Sequence, residues 1–413
     1  MCSTPFFAWS PAPRAHLPFF LAVCISLFAI PKAQAQTYET LHQFAGPTTD
    51  GATPFGFVVG GNGTIVGTTC YGGLSYGGTV YSLSPTGAET ILYNFNAGYG
   101  SCPSSLFPWK GYLYGSAGGG AYRDGIIYKL SPSGKETILH TFGKNLAEGI
   151  YAGLLFQNSA GLFYGAASYG GLYGYGTLFT ADTSGKVTVI YDFPSSNWGG
   201  YIGSFIPDQS GNFYGTTYYG GSANCAEGCG TIFKFDAAGN WTTLYSFTGG
   251  ADGAYPNGVI RDGQGNLYGT TTEGGSKCVL VSCGTVFKVS SSGQLTTLYS
   301  FTGGAAGILP SGNLVRDKAG NLYGTTSEGG DMECADFINY GGCGTLFKID
   351  PSGNATIIHT FTGPPGDAGT FGSTLLMDAA GDIYGASYSG GETDCNLTND
   401  QGIGCGTIFK LTF

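Results

Sequence analysis

Asn313-Leu314-Val315-Arg316-Asp317-Lys318-Ala319-Gly320-Asn321-Leu322-Tyr323-Gly324-Thr325-Thr326 carries two short apolar segments around a turn. After a loop, 344–349 and 356–361 repeat the pattern on either side of Pro351-Ser352-Gly353. The four segments are rich in β-branched and aromatic residues and bounded by Gly, Pro, Asn or Ser, which predicts strands A (313–317), B (322–326), C (344–349) and D (356–361). A tight A–B hairpin needs one residue at positive φ, which suits Gly320 and the glycines in its place in the other copies.

The same unit recurs about every 50 residues from Thr37 to Phe413. Its clearest mark is an apolar-Tyr-Gly triplet, found at 113–115, 163–165, 213–215, 267–269, 322–324 and 383–385, with a divergent Ile65-Val66-Gly67 in the first copy. Seven four-stranded antiparallel units, apolar on both faces, predict an all-β, seven-bladed β-propeller. A solenoid would show shorter rungs and polar capping repeats, and neither is visible. The chain ends sharpen the prediction. A D-type segment, 38–44, precedes every A segment, and the chain stops at a C-type segment, 406–411, with no D after it. The N-terminal strand is therefore expected to complete the last blade, closing the ring and removing its sheet edges. Residues 36–413 then form one domain.

Residues 1–35 read as a secretory leader. Arg14 lies in the n-region, 17–30 are apolar, and Ala33-Gln34-Ala35 is a small-x-small cleavage site. The apolar run is too short to span a bilayer comfortably, and Val23 before Cys24 argues against lipidation. Export to the periplasm or the exterior is expected, without a transmembrane anchor. Removing Arg14 and Lys32 leaves 14 basic against 26 acidic residues, a net of −12. No basic cluster is present, so neither nucleic acid nor an anionic membrane is expected as partner; the chain is expected to be a monomer.

Ten cysteines remain after the leader, an even number in an exported chain. Eight fall as close pairs in one repeat location: Cys225/Cys229, Cys278/Cys283, Cys334/Cys343 and Cys395/Cys405. Each pair belongs to a different copy and the gap widens along the chain, which favours disulfides over a zinc site. Cys70 and Cys102 fall in a B–C loop and the following D–A linker, on one face of the ring, and are expected to bond.

Gly-Asn-Leu-Tyr-Gly-Thr-Thr (265–271 and 320–326), Gly-Thr-Val-Phe-Lys (284–288) and Thr-Leu-Tyr-Ser-Phe-Thr-Gly-Gly (243–250 and 297–304) resemble the GloVer-type tandem repeats of exported choice-of-anchor bacterial proteins. The A–B portion is also similar to NHL-type propeller blades. The resemblance implies export and a propeller. It implies no established activity, so no catalytic residue is carried over, and the chain ends at Phe413 without the appended anchor that the family name implies.

In such a ring the B–C loops and D–A linkers share one face, which carries the length variation (328–344 and 390–406) and the paired cysteines. Loops held by a rigid scaffold are where binding residues concentrate. Tyr71, Tyr169, Trp198, Tyr201, Tyr219 and Tyr255, with Tyr173, Tyr175, Tyr218 and Tyr340, map to this face and suit contact with sugar rings or a protein; the plainer reading is that several fill gaps between blades. The position before Gly-Gly holds Tyr71, Tyr169 and Tyr219 in three blades, then Glu273 and Glu328 in neighbouring ones. Two adjacent carboxylates suit acid–base work or Ca²⁺, though solvated loop acids are commoner. The acidic loop 331–336 adds to the Ca²⁺ option but lacks a ligand spacing, and no cofactor is expected. His42, His140 and His359 occupy one strand-D position where other blades have Tyr, which reads as packing. The leading expectation is a non-enzymatic propeller that binds an extracellular glycan or protein through the loop face. The alternatives are a lyase or hydrolase using Glu273 and Glu328 at the channel mouth, and a structural surface or matrix protein.

Overall fold

The aromatic residue that ends each D segment explains why this repeat folds as a ring. Phe44, Phe95, Phe142, Phe193, Phe247, Phe301 and Phe361 are all buried. Phe301, for example, crosses to the next unit and packs on Phe347 of its strand C at 5.1 Å between ring centroids. Phe44–Tyr81, Phe95–Tyr128, Phe142–Phe179, Phe247–Phe287 and Phe361–Phe409 repeat this contact. One unit alone leaves that phenyl ring in water, so each unit requires a neighbour.

A computed structural model describes residues 36–46, 50–96, 101–194, 202–276, 283–334, 341–369, 374–391, 395 and 404–413. Residues 36–413 form one unit built of seven four-stranded antiparallel sheets. Blade 1 spans 52–96, blade 2 101–141, blade 3 150–192, blade 4 202–246, blade 5 254–300 and blade 6 308–360. The seventh is discontinuous. β1 (Thr37–Gln43) pairs antiparallel with β28 (Thr407–Thr412), Thr40 opposite Phe409, and stands outermost in a sheet that continues through β27 (Ile383–Ser387) to β26 (Thr374–Met377). The expected seven-bladed propeller, closed by its N-terminal strand, is the observed fold.

The first strands of consecutive blades touch and line the centre: β2 (Ala52–Val59), β6 (Ser101–Trp109), β10 (Ile150–Gln157), β14 (Ile202–Pro207), β18 (Ala254–Arg261), β22 (Ile308–Arg316) and β26, which returns to β2. Hydrophobic burial falls into seven clusters, one at each blade–blade interface. The core is therefore a ring of seven seams.

The inner strands differ from expectation. Strand A of blade 6 begins at Ile308, five residues before the expected 313, and the inner strands of blades 1, 2, 3 and 5 are also eight or nine residues long. Ile308-Leu309-Pro310-Ser311-Gly312 reads as linker because of its Pro and Gly. An innermost strand is a sheet edge on one side, so Pro310 forfeits no ladder bond there.

The triplet also finds its reason. Tyr214, Tyr268, Tyr323 and Tyr384 donate their hydroxyls to the A–B turn aspartates Asp208, Asp262, Asp317 and Asp378 at 3.0–3.4 Å. The glycine that follows lies beneath the strand-C ring of its own blade; a Cβ on Gly269 would stand 2.6 Å from Phe287 Cζ and 2.7 Å from the Gly258 carbonyl.

Candidate functional site: the loop face

The position before Gly-Gly is set by a hydroxyl two residues earlier. Thr69, Thr217, Thr271 and Thr326 donate to the carbonyls of Tyr71, Tyr219, Glu273 and Glu328 at 2.7–3.2 Å. Each of these threonines is also bonded, hydroxyl to hydroxyl, to the threonine that opens or nearly opens strand C (Thr79, Thr231, Thr285, Thr345). The pair is buried, so the residue two places on leaves the sheet from a fixed base.

Tyr71, Tyr169, Glu273 and Glu328 were expected in loops; they are the last residues of β3 (Ile65–Tyr71), β11 (Phe163–Tyr169), β19 (Leu267–Glu273) and β23 (Leu322–Glu328). Tyr71 and Tyr169 are nearly half exposed, whereas Tyr219 and Tyr255 are half-buried. The reading as a solvated acid fails for Glu328. Glu273 is half-buried and Glu328 is only 3% exposed. Trp198, Tyr201, Tyr340 and Cys278 lie outside the described residues, as do residues 1–35.

Tyr255 and Cys102, assigned to D–A linkers from sequence, are the second residues of β18 and β6. Both have left-handed backbones, as do Thr53, Tyr151 and Leu309 at the same place in blades 1, 3 and 6, with φ between 53° and 59°. A non-glycine residue in this region stores strain and persists only when its surroundings hold it. Cross-blade bonds do so: the Thr53, Tyr255 and Leu309 N–H groups donate to the carbonyls of Cys405, Cys229 and Cys283 in the preceding blade. The recurring X-Pro that follows (Pro54, Pro103, Pro256, Pro310) was visible in sequence and marks the position.

The disulfides form as expected where described: Cys70–Cys102, Cys225–Cys229, Cys334–Cys343 and Cys395–Cys405. Cys283 is also disulfide-bonded. Cys70–Cys102 joins blade 1 to blade 2; the others close B–C loops.

Within this face a cavity of about 430 Å³ opens at the channel mouth between the inner strands of blades 3–6, lined among others by Tyr151, Tyr218, Pro256 and Asn257. Asn257 braces it, its side-chain amide donating to Thr270 Oγ1 (3.0 Å) and to the Pro310 carbonyl (2.7 Å) of the next blade. Tyr218 stacks on Tyr255 at 4.9 Å, with Tyr219 edge-on. Burial, then the Glu273 carboxylate, pushes the Tyr218 phenol up to about 12, and the same two causes raise Tyr255. Both phenols therefore stay neutral donors.

Thirteen large apolar side chains stand exposed among the described residues, and eleven are on this face. Ten of these lie in blades 1–3 and their connections, including Tyr71, Tyr76, Tyr122, Tyr151, Tyr169, Tyr173 and Tyr175. Tyr76, Tyr122 and Tyr151 were not singled out from sequence, although Tyr122 and Tyr151 stand where Tyr173 and Tyr255 stand in other blades. The opposite face has a larger cavity, about 630 Å³, between the A–B turns of blades 6 and 7. Its Asp317, Asn321 and Tyr323 are engaged in the turn's own hydrogen bonds.

Among solved structures the chain is similar to a streptogramin B lyase, at 13% identity and a TM-score of 0.57, covering 92% of this chain and 99% of that one. It is also similar to extracellular domains of two B. thetaiotaomicron proteins. One is described as a one-component system (12% identity, TM-score 0.56, 91% of this chain and 40% of that one) and one as a hybrid two-component system (14%, 0.55, 91% and 41%). At such identities the likeness is one of fold. No curated protein matches the chain in sequence. A family model, the Gloeobacter/Verrucomicrobia repeat, matches residues 151–398, from blade 3 into blade 7 of the ring, and the chain belongs to that repeat family.

Proposed function

We propose that the protein is an exported, non-enzymatic propeller whose loop face binds an extracellular glycan or protein. One observation carries the reading: exposed tyrosines gather on that face in blades 1–3, Tyr71 beside the buried Thr69–Thr79 pair and the Cys70–Cys102 disulfide, Tyr76 and Tyr151 on left-handed backbones. Exposed apolar groupings on otherwise polar surfaces mark interaction sites, and tyrosine supplies contact area at little entropic cost together with a hydroxyl. Disulfides and the leader-like residues 1–35 support export, and no helix among the described residues is long and apolar enough to cross a membrane.

The test is a glycan array and an immobilised extracellular-protein panel, probed with wild type and with Tyr71→Ala/Tyr169→Ala. Both side chains are exposed, so the fold is retained. The expected outcome is a bound ligand whose affinity falls at least about tenfold in the double variant and is unchanged in Tyr112→Ala. Equal binding by all three proteins would move the site off this face. A second reading, acid–base chemistry at the channel mouth, rests on Glu273 beside Tyr218 and Tyr255. It requires an eliminating or hydrolytic activity that Glu273→Gln abolishes.

A further inference from the structure

His42, Asp50 and Glu89 come from three separate pieces of chain: the ring-closing strand β1, the linker into blade 1, and β5 (Glu89–Asn96), the outer strand of blade 1. One ligand atom from each lies within 4.8 Å of the other two. His42 Nε2 stands 3.4 Å from Asp50 Oδ2 and 3.9 Å from Glu89 Oε2. Both separations exceed a good N–H···O bond; the His42–Asp50 distance matches the edge of a tetrahedron of donors around an ion with 2.0–2.2 Å bonds, about 3.3–3.6 Å, and the His42–Glu89 distance is a few tenths of an ångström longer. His42 Nε2 and Glu89 Oε1 are buried without a hydrogen bond among the described residues. Asp50 is aimed by its surroundings, its Oδ1 accepting from the Ala45 and Gly51 N–H groups at 2.9 and 2.7 Å.

The other blades provide an internal control. His140 and His359 occupy the same strand position, and their Nε2 atoms hydrogen-bond directly to the linker acids Glu148 and Asp367. The residue in the place of Glu89 is Val187 beside His140 and Tyr38 beside His359, where Tyr38 stacks on the imidazole. Only at His42 do histidine, linker acid and second carboxylate coincide, and only there does the imidazole stand back from its acid.

We infer that His42, Asp50 and Glu89 bind a divalent transition-metal ion of the Zn²⁺ class, which pins the ring-closing strand to the first blade. One imidazole and two carboxylates neutralise a dication, and a nitrogen donor favours Zn²⁺ over Ca²⁺, which takes six to eight oxygens. Three protein ligands leave a fourth position for water. The ion's role is structural, bridging the one seam of the ring that joins the two ends of the chain.

The experiment is calorimetric titration of the chelator-stripped protein with ZnCl₂, and separately CaCl₂, with melting curves in parallel. One Zn²⁺ per chain is expected, with Kd at or below about 10 µM, a raised Tm, and weaker Ca²⁺ binding. Glu89→Gln keeps the shape. His42→Tyr installs the residue that blades 1, 3, 4 and 5 already carry at this position, so both variants fold. Each is expected to weaken Zn²⁺ at least about tenfold and to remove the Tm rise, while His140→Tyr changes neither. No Zn²⁺-dependent heat or Tm shift at 1 mM would overturn the inference (~1 mM is the affinity of an incidental contact). Undiminished binding in both variants, or tighter Ca²⁺ than Zn²⁺, would overturn it equally.

Discussion

Gly269 shows how much a single atom costs in this repeat. A methyl group there meets both the Phe287 ring and the Gly258 carbonyl, so neither neighbour can yield alone. Gly269→Ala is expected to destabilise the protein by about 1–3 kcal/mol. Gly263→Ala, with nothing within 4 Å, should leave Tm unchanged; equal effects in a melting experiment would refute the close-packing explanation. The turn aspartates make a second prediction. Burial works against ionisation of Asp262, yet the Asn266 side chain and N–H, the Tyr268 hydroxyl and the Gln264 N–H hold its carboxyl below the usual range. Asp317 and Asp208 behave alike. A lowered folded-state pKa stabilises above the unfolded value, about 3.9, and that contribution is lost as pH falls through the folded value. Stability measured by denaturant should therefore fall below about pH 4, and the fall should be shallower in Asp262→Asn/Asp317→Asn. The triplet itself was readable in the sequence. The hydroxyl-to-aspartate bond and the ring over the glycine were not, because both join residues whose neighbourhood only the folded blade creates.

Strand order within each blade follows from local pattern, and the B, C and D strands begin and end within about two residues of the pattern-based bounds in blade 6. Two features escaped. Every C–D pair has a register shift at one place, so that Leu41, Leu92, Leu139, Ile190, Leu244, Leu298 and Ile358 are extra residues in the ladder. A bulge occupied by leucine or isoleucine looks like ordinary strand. It lies just before the His/Tyr position and turns that ring toward the neighbouring blade. The second is the left-handed residue near the start of strand A, hidden because Tyr, Thr, Leu and Cys carry no signal for positive φ. Elements also differ in what their disulfides hold. Cys70–Cys102 closes 32 residues across two blades and Cys225–Cys229 closes four within one loop. By loop entropy, Cys70→Ser/Cys102→Ser should cost about 3–4 kcal/mol and Cys225→Ser/Cys229→Ser about 2. Chemical denaturation checks the order; a reversed order would mean that the interblade bond does not constrain the unfolded chain.

At the scale of the ring, closure was legible because the two chain ends each lack what the other supplies. The seam then gathers features that no single repeat displays: β1 on β28, and His42 with Asp50 and Glu89. The proposed binding face was legible only in part. The distribution of cysteines and tyrosines pointed to the rim on which the exposed tyrosines gather. The burial of Glu328 was not legible, because the same strand-end position is nearly half exposed in Tyr71 and Tyr169. Among the described residues the exposed aromatics are confined to blades 1–3, the sector through which the proposed recognition would run. Hydroxyl-radical footprinting measures this directly, with the protein free and then mixed with the extracellular polysaccharide and surface-protein fractions of its source cells. The expected result is protection of Tyr71, Tyr151, Tyr169 and Tyr175 while Tyr112 and Ile138 stay as reactive as in the free protein. Protection of Tyr112 and Ile138 with the four tyrosines unchanged, or no protection by either fraction, would contradict recognition through the loop face.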